Sequence, residues 1–162
     1  MPVHVHVWMK GQKSGDIVGD STIVGREGSI EVIQFDSGVR TPTDPHTGNP
    51  TGARVHYPMV LMKAMDRSSP YLYQVLCTNE TLTEVTLKLY ETDPSGGEKE
   101  RFNIKLENAH LTEVKSFMPN TKDTEEQQYA YNESVSIVYE KITWEDLDYR
   151  VMATDEWTKR ND

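Results

Sequence analysis

His4 and His6 stand two residues apart in the opening run MPVHVHVWMK. On an extended strand, residues i and i+2 share a face, so the two imidazoles make half of a metal shell. A carboxylate or third histidine would have to complete it, but Val7, Trp8, Met9, Lys10 and Gly11 follow. Without a nearby acid, the pair reads as semi-polar strand surface, and no metal is assigned to it. His46, His56 and His110 are scattered, and nothing in the chain places them beside His4. Ser68 and Ser69 precede Pro70, where helix capping accounts for them better than nucleophilic chemistry. The acidic pairs Glu125–Glu126 and Asp155–Glu156 lie in polar segments and read as solvated charge. No nucleophile elbow, phosphate loop or dinucleotide fingerprint is present. Cys77 is the single cysteine, so an intramolecular disulfide is impossible. Its setting, LYQVLCTN, predicts a buried structural thiol. The chain is expected to have no catalytic residue and no cofactor, and not to be an enzyme.

The elements that carry these residues are mostly strands. Val3, Val5, Val7 and Met9 alternate with His4, His6, Trp8 and Lys10. The same period of two runs through Val85–Leu87–Leu89, Phe102–Ile104–Leu106 and Val135–Ile137–Tyr139. Such alternation predicts antiparallel strands with one buried face. Around Ile30–Phe35, and at Val138 among Ser134 and Ser136, apolar residues fall on both faces. That predicts an outer surface covered by a helix or by a neighbouring subunit. Lys10–Gly15 and Val24–Gly28 read as turns, and Asp93–Gly97 (DPSGG) as a hairpin. One helix is predicted, started by Ser69 as cap and Pro70 at its first position, and ending near Thr78–Asn79. Leu72, Val75 and Leu76 form its apolar face. Pro119–Asn132 reads as an exposed acidic loop, and 154–162 as a charged tail tethered by Trp157.

The segment Pro42–Pro58, PTDPHTGNPTGARVHYP, holds four prolines and two glycines in a polar run. Proline removes ladder donors, so neither a helix nor a ladder-forming strand is expected here. A long loop stiffened by proline in a compact domain points to function. With 26 acidic against 17 basic residues, the net charge is −9. An acidic chain without a basic cluster is a poor partner for nucleic acid. No apolar run reaches the ~20 residues of a membrane helix, so no membrane insertion is expected. The N-terminus lacks a basic region followed by an apolar run, so no signal peptide is visible and composition alone points to the cytoplasm. A length of 162 residues predicts one domain, 1–162.

The order of these pieces carries a resemblance. Arg26–Val32 (REGSIEV), the TPTD…TG…TG loop, Arg-Val-His-Tyr-Pro, RSSPYLY, Phe102–Ala109 (FNIKLENA), Tyr139–Trp144 (YEKITW) and Asp155–Trp157 (DEW) resemble the Hcp family. Hcp, haemolysin-coregulated protein, is the tube subunit of the bacterial type VI secretion system. The similarity runs along nearly the whole chain.

The period-two pattern predicts a mainly β fold: a small antiparallel β-barrel or double sheet with one short flanking helix. The resemblance implies kinship with phage tail-tube proteins, homohexameric rings with a wide channel, and stacking of those rings into a tube. It implies a spike protein, sheath and baseplate components as partners, and effector proteins riding in the channel. It also implies secretion from the bacterial cytoplasm through the type VI machine without a signal peptide. In this scheme Thr41–Val55 is the candidate ring-stacking contact, through Thr41, Pro42, Asp44, Pro45, Thr47, Gly48, Asn49, Thr51, Gly52 and Arg54. Arg40 and Arg54 are expected to meet acids of the next ring. The alternative, from another class, is a small-ligand or metal-binding β-barrel that uses His4 and His6.

Overall fold

The computed structural model describes residues 4–120, 122 and 131–158. Val3, the Glu125–Glu126 pair, most of the expected 119–132 loop and the end of the tail lie outside the described residues. In chain order the elements are β1 (His4–Gly11), β2 (Gly15–Ile17), β3 (Ile30–Val32), β4 (Gln34–Asp36), β5 (Val39–Arg40), β6 (Val55–His56), β7 (Met59–Ala64), α1 (Ser69–Cys77), β8 (Leu82–Thr92), β9 (Glu98–Phe117), β10 (Asn132–Val138), β11 (Lys141–Asp146) and β12 (Val151–Glu156).

Every described strand pair is antiparallel, and the main ladder runs β2-β1-β8-β9-β10-β7-β4. The DPSGG turn closes the β8–β9 hairpin, with Gly96 at φ +92° where only glycine is unstrained. β9 is the spine. Its first part pairs with β8 and β11, its last part with β10. The change of partner falls near Asn108, whose φ of +49° suits asparagine better than most residues. The two-faced apolar stretch at 30–35 also changes partner. β3 pairs with β1, β4 pairs with β7, and Ile33 N–H donates to Met62 O at 2.8 Å between them. That crossing draws the two ends of the ladder together, giving the expected small barrel or double sheet. Ile33 stays half exposed at the switch.

The core is built by the predicted parity: Val7, Met9, Val85, Leu87, Ile104, Leu106, Val135 and Ile137 are all buried. β11 and β12 extend the sheet beyond β9, so the expected tail is in part a strand. Trp157 does tether it, packing against the core.

α1 packs against β9 and buries Leu72 and Val75, with Leu76 half-buried beside them. Its N-cap differs from expectation. Ser68 is the cap residue and makes no side-chain cap bond. The Ser69 hydroxyl accepts instead from Asp66 N–H at 3.0 Å and donates to Glu133 Oε1 at 2.7 Å, since that buried carboxylate is the stronger acceptor. Cys77 is exposed, because it ends the helix on the face away from Leu72 and Val75.

Candidate assembly interface

The proline-rich segment forms an arm that stands off the barrel. Two residues of it are strand after all: Val55 and His56 of β6 pair with Arg40 and Val39 of β5. Further out, Thr43 and Pro50 face each other in a single bridge. The missing N–H of Pro50 costs nothing there. The flanking bonds are made by its neighbours, Asp44 N–H to Asn49 O and Thr51 N–H to Pro42 O, both 2.8 Å. The tip is a tight reversal. Gly48 N–H reaches Asp44 O, and His46 N–H reaches the Asp44 carboxylate, each at 2.8 Å. Gly48 takes φ +72°, as a sharp reversal requires, whereas Gly52 does not enter the left-handed region.

Thr41, Pro45, Thr47, Gly48, Asn49, Thr51 and Gly52 are exposed, and Pro42 and Asp44 are half-buried. The arm therefore satisfies its backbone internally while presenting polar side chains and proline rings outward.

Arg54 lies at the root of the arm, not on its outer surface. Its guanidinium grips the Asp155 carboxylate with Nε and Nη2, the latter at 2.7 Å from Oδ1, and also reaches Glu156 O at 3.0 Å. Asp155 is thus no solvated acid. It also receives His56 Nε2 at 2.7 Å, while His56 Nδ1 meets the Tyr139 hydroxyl at 2.9 Å. The Arg54 hydrogen bond, then His56 against the opposing effect of burial, hold the Asp155 carboxyl below its usual range. An ionised Asp155 puts the ring proton on Nε2, so Tyr139 donates to Nδ1. Burial, with Asp155 nearby, pushes Tyr139 up to about 12, which keeps that donor protonated. Trp157 stacks on His56 at 5.4 Å between ring centroids and meets Tyr139 edge-on at 4.9 Å. His56, Tyr139 and Asp155 were not among the expected interface residues. The signal was weak, because Arg54 and Asp155 are 101 residues apart.

The His4–His6 pair is not bare surface. His4 Nε2 lies 3.3 Å from Glu98, an acid supplied from far along the chain. His6 is fully buried. Ser29 donates to Arg26 O at 2.8 Å, so its oxygen accepts from His6 Nδ1 at 2.8 Å. That leaves His6 Nε2 as the acceptor facing the Arg26 guanidinium at 3.5 Å. Burial and then Arg26 lower the His6 pKa. Arg26 is itself buried, ion-paired with Glu98 and seated over the Tyr90 ring at 3.7 Å. The Arg26 guanidinium thus faces His6 Nε2 and engages the same Glu98 that His4 meets. Among the described residues, no three His, Cys, Asp or Glu side chains converge to hold a metal ion.

A third cluster lies inside. Lys63 of β7 and Glu133 of β10 are both fully buried and form an ion pair. Lys63 Nζ also reaches Asp66 Oδ1 at 3.1 Å and Ala64 O at 3.0 Å. Burial works to raise the Asp66 pKa, but the Ser68 hydroxyl and Lys63 outweigh it and hold it low. The cluster locks the start of α1 to the sheet. It was missed in the sequence, although both charges fall on the inward parity of their strands: Met59, Leu61, Lys63 and Glu133, Val135, Ile137.

Comparison with known proteins agrees with this architecture. The family model described as "Type VI secretion system effector, Hcp" matches residues 8–145. The "Major exported protein" of Pseudomonas aeruginosa is 34% identical over 147 residues, covering 91% of this chain and 86% of the relative. A double-mutant Hcp1 from E. coli EAEC 042 superposes with a TM-score of 0.85 at 37% identity, covering 96% of this chain and 99% of that one. Secreted protein Hcp3 from Pseudomonas aeruginosa gives a TM-score of 0.80 at 25% identity, covering 98% and 100%. No comparison favours a metal-binding barrel. With an antiparallel barrel, one flanking helix and a match along most of its length, this chain belongs to the Hcp family of secreted type VI secretion tube proteins.

Proposed function

We propose that six copies of this chain, each acting as one tube domain over 1–162, close into a ring, and that rings stack through the arm at 41–55. The observation that carries the reading is the arm itself. It is internally hydrogen-bonded, exposed over most of its length and stiffened by Pro42, Pro45 and Pro50. Such an arm loses little entropy on docking, and its outward groups need partners beyond its own barrel. Exposed Tyr149, Val151 and Met152 around β12 supply apolar surface for a neighbouring subunit. A closing heterologous contact makes the ring and a non-closing one makes the filament. Arg54 is engaged by its own chain, so exposed Arg40 is the arm-side cation for acids of the next ring. The subunit leaves the bacterial cytoplasm through the type VI machine. It meets the spike, sheath and baseplate components and carries effectors in its channel, and it performs no catalytic step itself.

The test shortens the arm by joining Thr43 to Arg54 through a two-residue turn. The barrel folds and light scattering still reports a hexamer, but stacked tubes and type VI export are lost. A monomer would show that the arm closes the ring laterally. Normal export would remove the arm from assembly altogether.

A further inference from the structure

We infer that Asp155 is the positioning residue that holds the arm in its stacking orientation, a role that rests on the proposed contact at 41–55. The arm has no apolar root: Val55 is exposed, and the residues from Thr41 to Gly52 bury no large side chain. Its side-chain ties to the barrel run through Arg54 and His56, which are successive inward anchors of its returning strand. Both end on one carboxylate of β12. Arg54 binds it with two nitrogens, fixing a plane as well as a distance. His56 binds it from a fully buried position, backed by the Tyr139 hydroxyl and the Trp157 ring. Two ligands of different geometry on one acid define a direction, which a single ion pair does not. The arm's direction is therefore set by β12, the strand whose own face is left exposed for a neighbour.

Asp155→Asn tests this in the assembled hexamer, read by amide hydrogen exchange. Asparagine keeps the shape but loses the charge that both Arg54 and His56 seek. The amides of Arg40, Val55 and Tyr57 at the arm's root should exchange at least about tenfold faster, through local opening. The amides of the β8–β9 hairpin should be unchanged, the ring should persist in light scattering, and sedimentable tubes should be lost. Asp155→Glu, which restores the carboxylate, should recover part of both the protection and the tubes. Unchanged exchange at the arm's root in Asp155→Asn would overturn the inference. So would equal acceleration in β8–β9, which would make Asp155 a general stabiliser. Faster exchange at the root with normal tubes would uphold Asp155 as the anchor and overturn the stacking role of the arm instead.

Discussion

Two acid–base clusters in this molecule use the same chemistry in opposite surroundings. Lys63 and Glu133 are fully buried and tie β7, β10 and the start of α1 together inside the barrel. Arg54 and Asp155 lie at the root of the arm, with 14% and 24% of their side chains exposed. In the interior, both ions have lost water, and Glu133 Oε2 is buried with no hydrogen-bond partner among the described residues. Such a pair specifies a junction more than it stabilises it, because desolvation offsets most of the attraction. At the root, solvent screens the pair, and its contribution lies in direction rather than energy. One cluster decides how the barrel closes on its helix. The other decides where an exposed appendage points.

Breaking one partner of the interior cluster separates the two cases most strongly. Glu133→Ala takes the buried carboxylate from the Lys63 ammonium, leaving it Asp66 and Ala64 O, and should cost about 3–5 kcal/mol in urea unfolding. Replacing both, Lys63→Met with Glu133→Leu, should return most of that loss. If the double variant is as unstable as the single one, the pair is a net stabiliser and the contrast with the root fails. Asp155→Ala should cost less than Glu133→Ala, because solvent reaches the Arg54 guanidinium that remains.

The junction is sharpened next through the helix it anchors. Leu72→Ala removes a fully buried side chain and should cost about 2–5 kcal/mol. Leu76→Ala, at a half-buried position, should cost distinctly less. Equal losses would mean that α1 docks on a different face. Ser69→Ala should cost about 1–3 kcal/mol by leaving Glu133 and Asp66 N–H short of a partner. The share due to Glu133 should disappear in a Glu133→Leu background, whereas the share due to Asp66 N–H should persist there.

What the sequence made legible follows from range. Period two placed the strands because the pleat is local, and the DPSGG turn and Pro70 marked the hairpin and the helix for the same reason. The arm was legible as an arm, since its prolines are visible without a partner. Its inner bridge was not, because the donors come from Asp44 and Thr51 rather than from the prolines' own positions. The acid clusters were missed because their members are far apart in the chain: 70 residues for Lys63 and Glu133, 101 for Arg54 and Asp155. Cys77 was misplaced because an apolar neighbourhood in sequence says nothing about which side of a helix its last residue faces. Glu98 beside His4 shows the same thing from the other direction: the missing acid was present, and so was the arginine that pairs with it.

Acid titration gives the smallest effect and compares the two clusters without mutation. Asp155 and Asp66 both have carboxyl groups held below the usual range. A depressed folded value means that the unfolded chain binds its proton first as pH falls. The stabilisation from each is therefore complete above the ordinary carboxylate pKa of about 3.9, and is lost as pH drops through the folded value. Neither cluster should weaken between neutral pH and the upper edge of that range. Below it they should part. Protonating Asp155 removes the charge that holds Arg54 and His56 at the root, so the arm's amides should lose protection while the β7–β10 ladder keeps its own. Protonating Asp66 removes one acceptor from a buried ammonium that still holds Glu133, so that junction should open only with global unfolding. Hydrogen exchange across a descending pH series, corrected for the intrinsic rate, reads both regions in one sample. If the arm's root and the β7–β10 ladder lose protection together at every pH, the two clusters belong to one cooperative unit. The arm would then be part of the barrel's own stability, and not an appendage steered from β12.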